Sequence, residues 1–323
     1  MSGLTRRSVV AGVLTAAAPR SVWSAEYPQR VVTIIHGFPP GGTLDVVARV
    51  VAEELSSRIK QPVIVESKVG GSGIIAASFV ARASPDGYIL FAIPAGHVIL
   101  GATFKSVPYR IIDDYSPIGM LSEYPYVLVT PASASLTSFD ALVRLGKSRD
   151  TPLVYGSPGT GSGPHLAVEL LARLTGIKTQ HIPYRGASGA LIDLLGGRLD
   201  FMMDPPGPLL ENVANGKLNA LAVTGDERFF SLPKVPTVRE VGVPNFVVTG
   251  WNALLAPAGL PEPVQTRLNA ELNDLLNSSS VASRLHALGA VPKPVSPAEL
   301  KARMEADLAT WNKVVVESDF QRM

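Results

Sequence analysis

The chain contains no cysteine, so a disulfide framework, a thiolate metal site and a cysteine nucleophile are all excluded. Its histidines, His36, His97, His165, His181 and His286, include no pair at the four-residue spacing by which one helix face holds zinc. The nearest approach to a Gly-x-Ser-x-Gly nucleophile elbow, Gly186-Ala187-Ser188-Gly189-Ala190, misses at its last position. Charged residues make up 17% of the chain and hydrophobic ones 46%, an ordinary globular balance that leaves room for two domains with a core each in 323 residues.

No run free of charge and proline reaches membrane-spanning length. The apolar stretch Val9 to Ala18 is too short and follows Thr5-Arg6-Arg7-Ser8, a twin-arginine signature, with the small residues Ser24 and Ala25 suited to cleavage. Residues 1–25 therefore read as an export signal of twin-arginine type, with the twin-arginine or the general export machinery as partner and a periplasmic product. Losing the leader removes Arg6, Arg7 and Arg20 and no acid, which leaves 26 basic against 27 acidic residues. That balance does not suit a nucleic-acid binder.

The stretch Ile34-Ile35-His36-Gly37-Phe38-Pro39-Pro40-Gly41-Gly42-Thr43-Leu44-Asp45 reads as strand, glycine-rich loop and helix. Val31, Val32, Ile34 and Ile35 form a short β-branched run, and Leu44, Val47, Val51, Leu55 and Ile59 recur at helical spacing. Thr43 reads as N-cap, and Asp45 places a negative charge in the first turn. Unpaired N–H groups at such a helix start suit an anion. No Gly-Lys-Ser/Thr follows and the spacing is not Gly-x-Gly-x-x-Gly, so a carboxylate fits as well as a phosphate. A tight strand-to-helix connection with no ligand at all fits too.

The alternation continues. Strands are expected at Pro62 to Glu66 and Tyr88 to Ile93, with loops Gly70-Gly71-Ser72-Gly73 and Pro94-Ala95-Gly96-His97. After Tyr124 to Thr130 the module restarts: strand Leu153-Val154-Tyr155, loop Gly156 to Gly163, and a helix from Pro164 stopped by Gly176. Strands His181 to Tyr184, Leu199 to Asp204 and Leu218 to Val223 follow, then an extended Val247 to Leu255 and a helical tail. This order predicts an α/β fold of two doubly wound parallel-sheet domains, 26–123 plus 250–323 and 124–249, joined by a two-strand hinge with loops facing across a cleft.

The Gly156 to Gly163 loop is a second candidate anion cradle, with Ser157, Thr160 and Ser162 adding hydroxyls. Asp204 ends a buried strand at the mouth of the expected cleft, and Arg185 at another strand end is a natural carboxylate partner. An exported hydrolase or lyase that pairs Asp204 with a histidine is the competing class.

Together these segments resemble the Bug-type solute-binding proteins of tripartite tricarboxylate transporters. The resemblance is carried by Phe38 to Arg49, Pro85-Asp86-Gly87-Tyr88, Tyr155 to Leu166, Ile182-Pro183-Tyr184-Arg185-Gly186, Asp193 to Gly197, Ala220 to Thr224, Val235-Pro236-Thr237, Trp251 and Leu255 to Pro261. It implies a periplasmic binding-protein fold of type II and a non-catalytic monomer without metal or cofactor. It also implies a small organic carboxylate as ligand and a two-subunit membrane permease as partner; a sensor in place of the permease shares the fold. The loops after the first strand of each domain would clamp one carboxylate, at Phe38, Gly41, Gly42, Thr43, Leu44 and Asp45 on one side and Ser157, Gly161, Ser162 and His165 on the other. Gly96, His97, Arg185, Gly186 and Asp204 would form the pocket wall. Leu44 stands where the family often has a hydroxyl, and Pro205-Pro206-Gly207-Pro208 replaces commoner polar residues, which implies a less polar distal group on the ligand.

Overall fold

The computed structural model describes residues 27–317 and 322–323; the expected export signal lies outside them. The chain begins with β1 (Val32–His36), α1 (Thr43–Ile59), β2 (Val63–Ser67), α2 (Ile74–Ala81), β3 (Ile89–Pro94), α3 (Gly96–Thr103) and β4 (Tyr115–Pro125). A second series follows: β5 (Val127–Pro131), α4 (Phe139–Ser148), β6 (Leu153–Ser157), α5 (Gly163–Thr175), β7 (Thr179–Pro183), α6 (Ala187–Leu195), β8 (Phe201–Asp204), α7 (Gly207–Ala214) and β9 (Leu218–Val223). The chain then closes with β10 (Thr249–Pro257), α8 (Glu262–Leu276), α9 (Ser279–Ala287), β11 (Val291–Pro292) and α10 (Pro297–Glu317).

Two sheets result, ordered β11-β4-β10-β3-β1-β2 and β7-β6-β8-β5-β9. Each is built on one plan. The first strand of the half lies between its second and third in parallel (β1 between β2 and β3, β6 between β7 and β8). The next place goes to an antiparallel strand adjoining the passage between sheets, β10 or β5, and β4 or β9 pairs antiparallel beyond it. The sheets are thus mixed, where the alternation of strands and helices suggested wholly parallel ones. Parallel neighbours need a helical crossover, and β5 and β10 enter their sheets straight from the other half.

The apolar stripe of α1 holds it to the first sheet, with Val47, Val51, Leu55 and Ile59 all buried. The N-cap is Gly42, and Thr43 is already the first helical residue, one position from the expectation. Trp251 on β10 is fully buried and its indole N–H donates to Asp307 of α10 at 2.7 Å. From the same helix Arg303 reaches Glu123 of β4 and Thr249 of β10, each at 2.9 Å. The two strands are thereby pinned where they leave the first sheet.

Only Tyr126 separates β4 from β5, so the outward passage is almost without slack. Thr224 ties it to the return passage. Its Oγ1 accepts from Tyr126 N–H at 2.8 Å and donates to Val248 C=O. Its backbone completes the tie, with Thr224 N–H donating to Tyr126 C=O and Val248 N–H to Thr224 C=O. Replacing Thr224 by valine keeps the shape and removes the hydroxyl, leaving two buried backbone groups short of a partner. Urea denaturation should register a loss of about 1–3 kcal/mol; an unchanged midpoint and slope would contradict this role.

Candidate functional site

Both glycine-rich loops lie at the C-terminal ends of parallel strands, β1 and β6, where open α/β sheets take their ligands. Both are braced alike. Gly41, with φ +82°, donates its N–H to Asp45 Oδ2 at 2.9 Å; Gly161, with φ +75°, donates its N–H to His165 Nδ1 at 2.9 Å. The acceptor in each case sits four residues on, in the first turn of the helix the loop opens. The left-handed turn needed to aim the N–H forward favours glycine.

Each brace is backed from beneath. Phe38 N–H approaches His36 Nδ1 at 3.4 Å, which leaves His36 Nε2–H to donate to Asp45 Oδ1 at 3.0 Å. Arg49 Nε adds bonds of 3.1 and 3.0 Å to the same carboxylate. Burial alone would raise the Asp45 carboxyl, but Arg49, the Gly41 N–H and His36 outweigh it and hold it below the usual range. In the second loop the His165 ring stacks on that of His181, with centroids 3.8 Å apart. His181 Nε2 lies 2.6 Å from Ser157 Oγ, which accepts from Gly159 N–H at 3.1 Å. Burial, joined by the neighbouring His181, lowers His165 to about 3, and burial lowers His181 to about 4.

Several residues expected to touch a ligand are therefore engaged internally. The Asp45 and His165 side chains, with the N–H groups of Gly41 and Gly161, belong to the braces. Ser157 is fully buried and tied to His181 and Gly159. Leu44 is 6% exposed and packs into the main core, so it carries no information about the distal part of a ligand. His97 is buried, bonded through Nε2 to Ile111 C=O at 3.0 Å and stacked on Tyr109. Its ring edge, with Phe38, Gly73 and Phe91, lines a small cavity at the ends of β1 and β3. Gly96 opens α3 as its first residue.

What remains uncommitted is mainly backbone. Gly42 gives α1 no side-chain cap, and the first intrahelical bond is Val46 N–H to Gly42 C=O, so the N–H groups of Thr43 and Leu44 precede the ladder. On α5, Ser162 caps His165 N–H at 3.4 Å and Pro164 has no N–H, which leaves Gly163 N–H with the Thr160 and Ser162 hydroxyls. Arg185 is exposed and pairs with no acid among the described residues. Gly186 N–H donates to Pro158 C=O and joins the β7–α6 turn to the α5 loop.

The halves meet through these same loops. A Cβ on Gly161 would lie 3.0 Å from Thr103 Oγ1 at the end of α3; one on Gly163 would strike the Tyr126 hydroxyl. A Cβ on Gly207 would lie 2.7 Å from Leu288 C=O and 4.0 Å from Thr43 Oγ1. Thr103, Tyr126 and His181 escaped the sequence reading, since nothing local marks a residue that acts through a distant glycine. Asp204 is fully buried, and neither carboxylate oxygen has a hydrogen-bond partner among the described residues.

Two α/β halves of like plan, with their glycine-rich loops at the seam between them, define a periplasmic binding-protein fold. The sequence profile of the Tripartite tricarboxylate transporter family receptor matches residues 47–319, and the chain belongs to that family of solute-binding receptors. It is 34% identical over 319 residues to Protein BugT of Bordetella pertussis, covering 98% of each chain. The structure of the periplasmic binding protein BugD superposes with a TM-score of 0.84 at 30% identity, over 92% of this chain and 100% of that one. R. palustris Rpa4515 with adipate gives a TM-score of 0.84 at 32% identity, over 91% and 99%.

A pH dependence follows from the second brace. Free histidine titrates near 6.5 and these rings only near 3 and 4, so below 6.5 the unfolded chain binds protons that the folded one refuses. Their contribution to stability is complete above 6.5 and is lost as pH falls toward 3. His165→Asn keeps an acceptor for Gly161 N–H and removes one titrating ring. Denaturation midpoints from pH 7 to 4 should fall less steeply in this variant than in the wild type; parallel acid limbs would contradict the assignment.

Proposed function

We propose that this chain is exported to the periplasm and captures a small organic carboxylate between its two sheets, which it delivers to a two-subunit membrane permease. Residues 26–123 with 250–323 and residues 124–249 act as two domains hinged at Tyr126 and Val248. The reading rests above all on the paired loop braces, which aim two helix starts at one seam with their first-turn N–H groups uncommitted. Thr43 and Leu44 N–H on one side, with Gly163 N–H and the Ser162 hydroxyl on the other, offer the charge-assisted bonds a carboxylate accepts. Phe38, Gly96 and His97 wall the first side, and Arg185, Gly186 and Asp204 the second. Binding of adipate by a relative at 32% identity supports the ligand class. No helix among the described residues is long and apolar enough to cross a membrane, which accords with a receptor that works beside a separate permease.

The role is binding without turnover. Two observations favour binding over turnover: Asp204 receives no hydrogen bond from a described residue, and Ser157, in contact with His181, is fully buried with its Oγ bonded to Gly159.

Gly42 is the clean position for a test. Its φ of −73° suits any residue, and an added Cβ meets nothing closer than Pro39 C=O at 3.5 Å, whereas Gly161 combines positive φ with a 3.0 Å contact. In a thermal-shift screen of the mature protein against mono-, di- and tricarboxylates, a ligand at a hundred times its Kd stabilises by about 2.7 kcal/mol. Gly42→Leu should abolish that shift and leave the ligand-free midpoint nearly where it was. A variant that keeps full affinity would overturn the backbone clamp.

A further inference from the structure

Asp204 is the last residue of β8, opposite Val127 in register on β5. The chain continues from it through Pro205 and Pro206 to Gly207, whose backbone touches Leu288 in the other half and lies near Thr43 at the start of α1. The carboxyl group thus stands at the strand end from which the loop crosses the seam to the proposed clamp. Tyr124 lies near the end of β4, and Tyr126 forms the outward passage. Burial first and then Asp204 raise the Tyr124 phenol, and burial, Tyr124 and Asp204 in that order raise that of Tyr126. Every other acid placed in the site is satisfied: Asp45 alone receives bonds from His36, Gly41 and Arg49. Asp204 receives none from any described residue, although both its oxygens are buried.

A carboxyl group removed from water and left without a partner is costly, and buried polar groups in folded proteins are almost always hydrogen-bonded. An acid retained in such a place, at the strand end beside the proposed ligand site, calls for a donor that no described residue supplies. We propose that Asp204 reads a hydrogen-bond donor on the ligand, so that the preferred solute is a carboxylic acid that also carries a hydroxyl or ammonium group. This rests on the carboxylate-binding reading above and sharpens it. Burial with no partner holds the carboxyl well above its ordinary range, so the empty receptor favours its neutral form, and a donor arriving with the ligand, an ammonium above all, restores the carboxylate. A bare acid of the same skeleton brings no donor to Asp204 when the halves close, and sites built around a polar partner reject analogues that lack it.

Titration calorimetry on matched sets tests this. The sets are succinate, malate and aspartate; glutarate, 2-hydroxyglutarate and glutamate; adipate, 2-hydroxyadipate and 2-aminoadipate; and phenylacetate, mandelate and phenylglycine. In the wild type, the hydroxy or amino member of the set that binds should be favoured over the bare acid by about tenfold or more. Asp204→Ala should bring that ratio toward one. Asp204→Asn sorts the two donors, because an amide still accepts from a hydroxyl but cannot neutralise an ammonium: the hydroxy acid should keep most of its advantage and the amino acid lose it. Circular dichroism and thermal melts check that both variants fold, and the wild-type ratio decides the matter if neither does. Binding of bare and donor-bearing acids alike, or a preference that survives Asp204→Ala, overturns this inference and leaves the carboxylate receptor standing. Failure of every acid to bind overturns the carboxylate reading itself.

Discussion

The hydrogen bond from a left-handed loop glycine to the side chain four residues ahead is the constraint on which the rest of the site depends. It occurs once in each half, Gly41 to Asp45 and Gly161 to His165. It spends one N–H and one side chain in each loop, and so fixes the direction in which the remaining first-turn N–H groups point. Preorganised donors need not give up conformational freedom when an anion arrives. The same geometry is reached with different chemistry: a carboxylate below its usual pKa, held by an arginine, on one side, and a neutral imidazole sandwiched against a second imidazole on the other. The two halves share the geometry of the brace but not its atoms.

The second requirement is that two rigid halves move as units. Thr224 binds both passages at one point, and Arg303 anchors β4 and β10 where they leave the first sheet. In the proposed hinge, freedom would be confined to a few backbone angles near Tyr126 and Val248. Backbone-to-backbone approach at Gly207 and Leu288 and the tight fit of Gly161 against Thr103 set how far the halves can come together. Glycine at these positions is required by the neighbour across the seam as much as by local φ.

Strands and helices with strong periodicity were legible in the sequence. The β-branched run at Val31 to Ile35 and the stripe from Leu44 to Ile59 became β1 and α1 within a residue or two, and the restart of the module at Leu153 marked the second half. Short elements were not legible. Helices α3 and α7 begin in Pro-Ala-Gly-His and Pro-Pro-Gly-Pro, which read locally as loops, and only tertiary packing extends them. The glycine-rich loops were legible as strand-to-helix connections, but the internal bonds of their side chains were not. Asp45, His165 and Leu44 were named as ligand positions by the family resemblance, and nothing in a linear sequence shows that a glycine N–H four residues back bonds to the first two side chains or that the third packs into the core.

The central claim is that two helix starts share one carboxylate. A crystal structure of the ligand-loaded protein tests it most directly. The account predicts a single carboxylate group whose oxygens accept from Thr43 or Leu44 N–H of α1 and from Gly163 N–H or the Ser162 hydroxyl of α5, with both glycine braces intact. A ligand held by one half alone, or a carboxylate bonded to the Asp45 or His165 side chain with its brace broken, would contradict it.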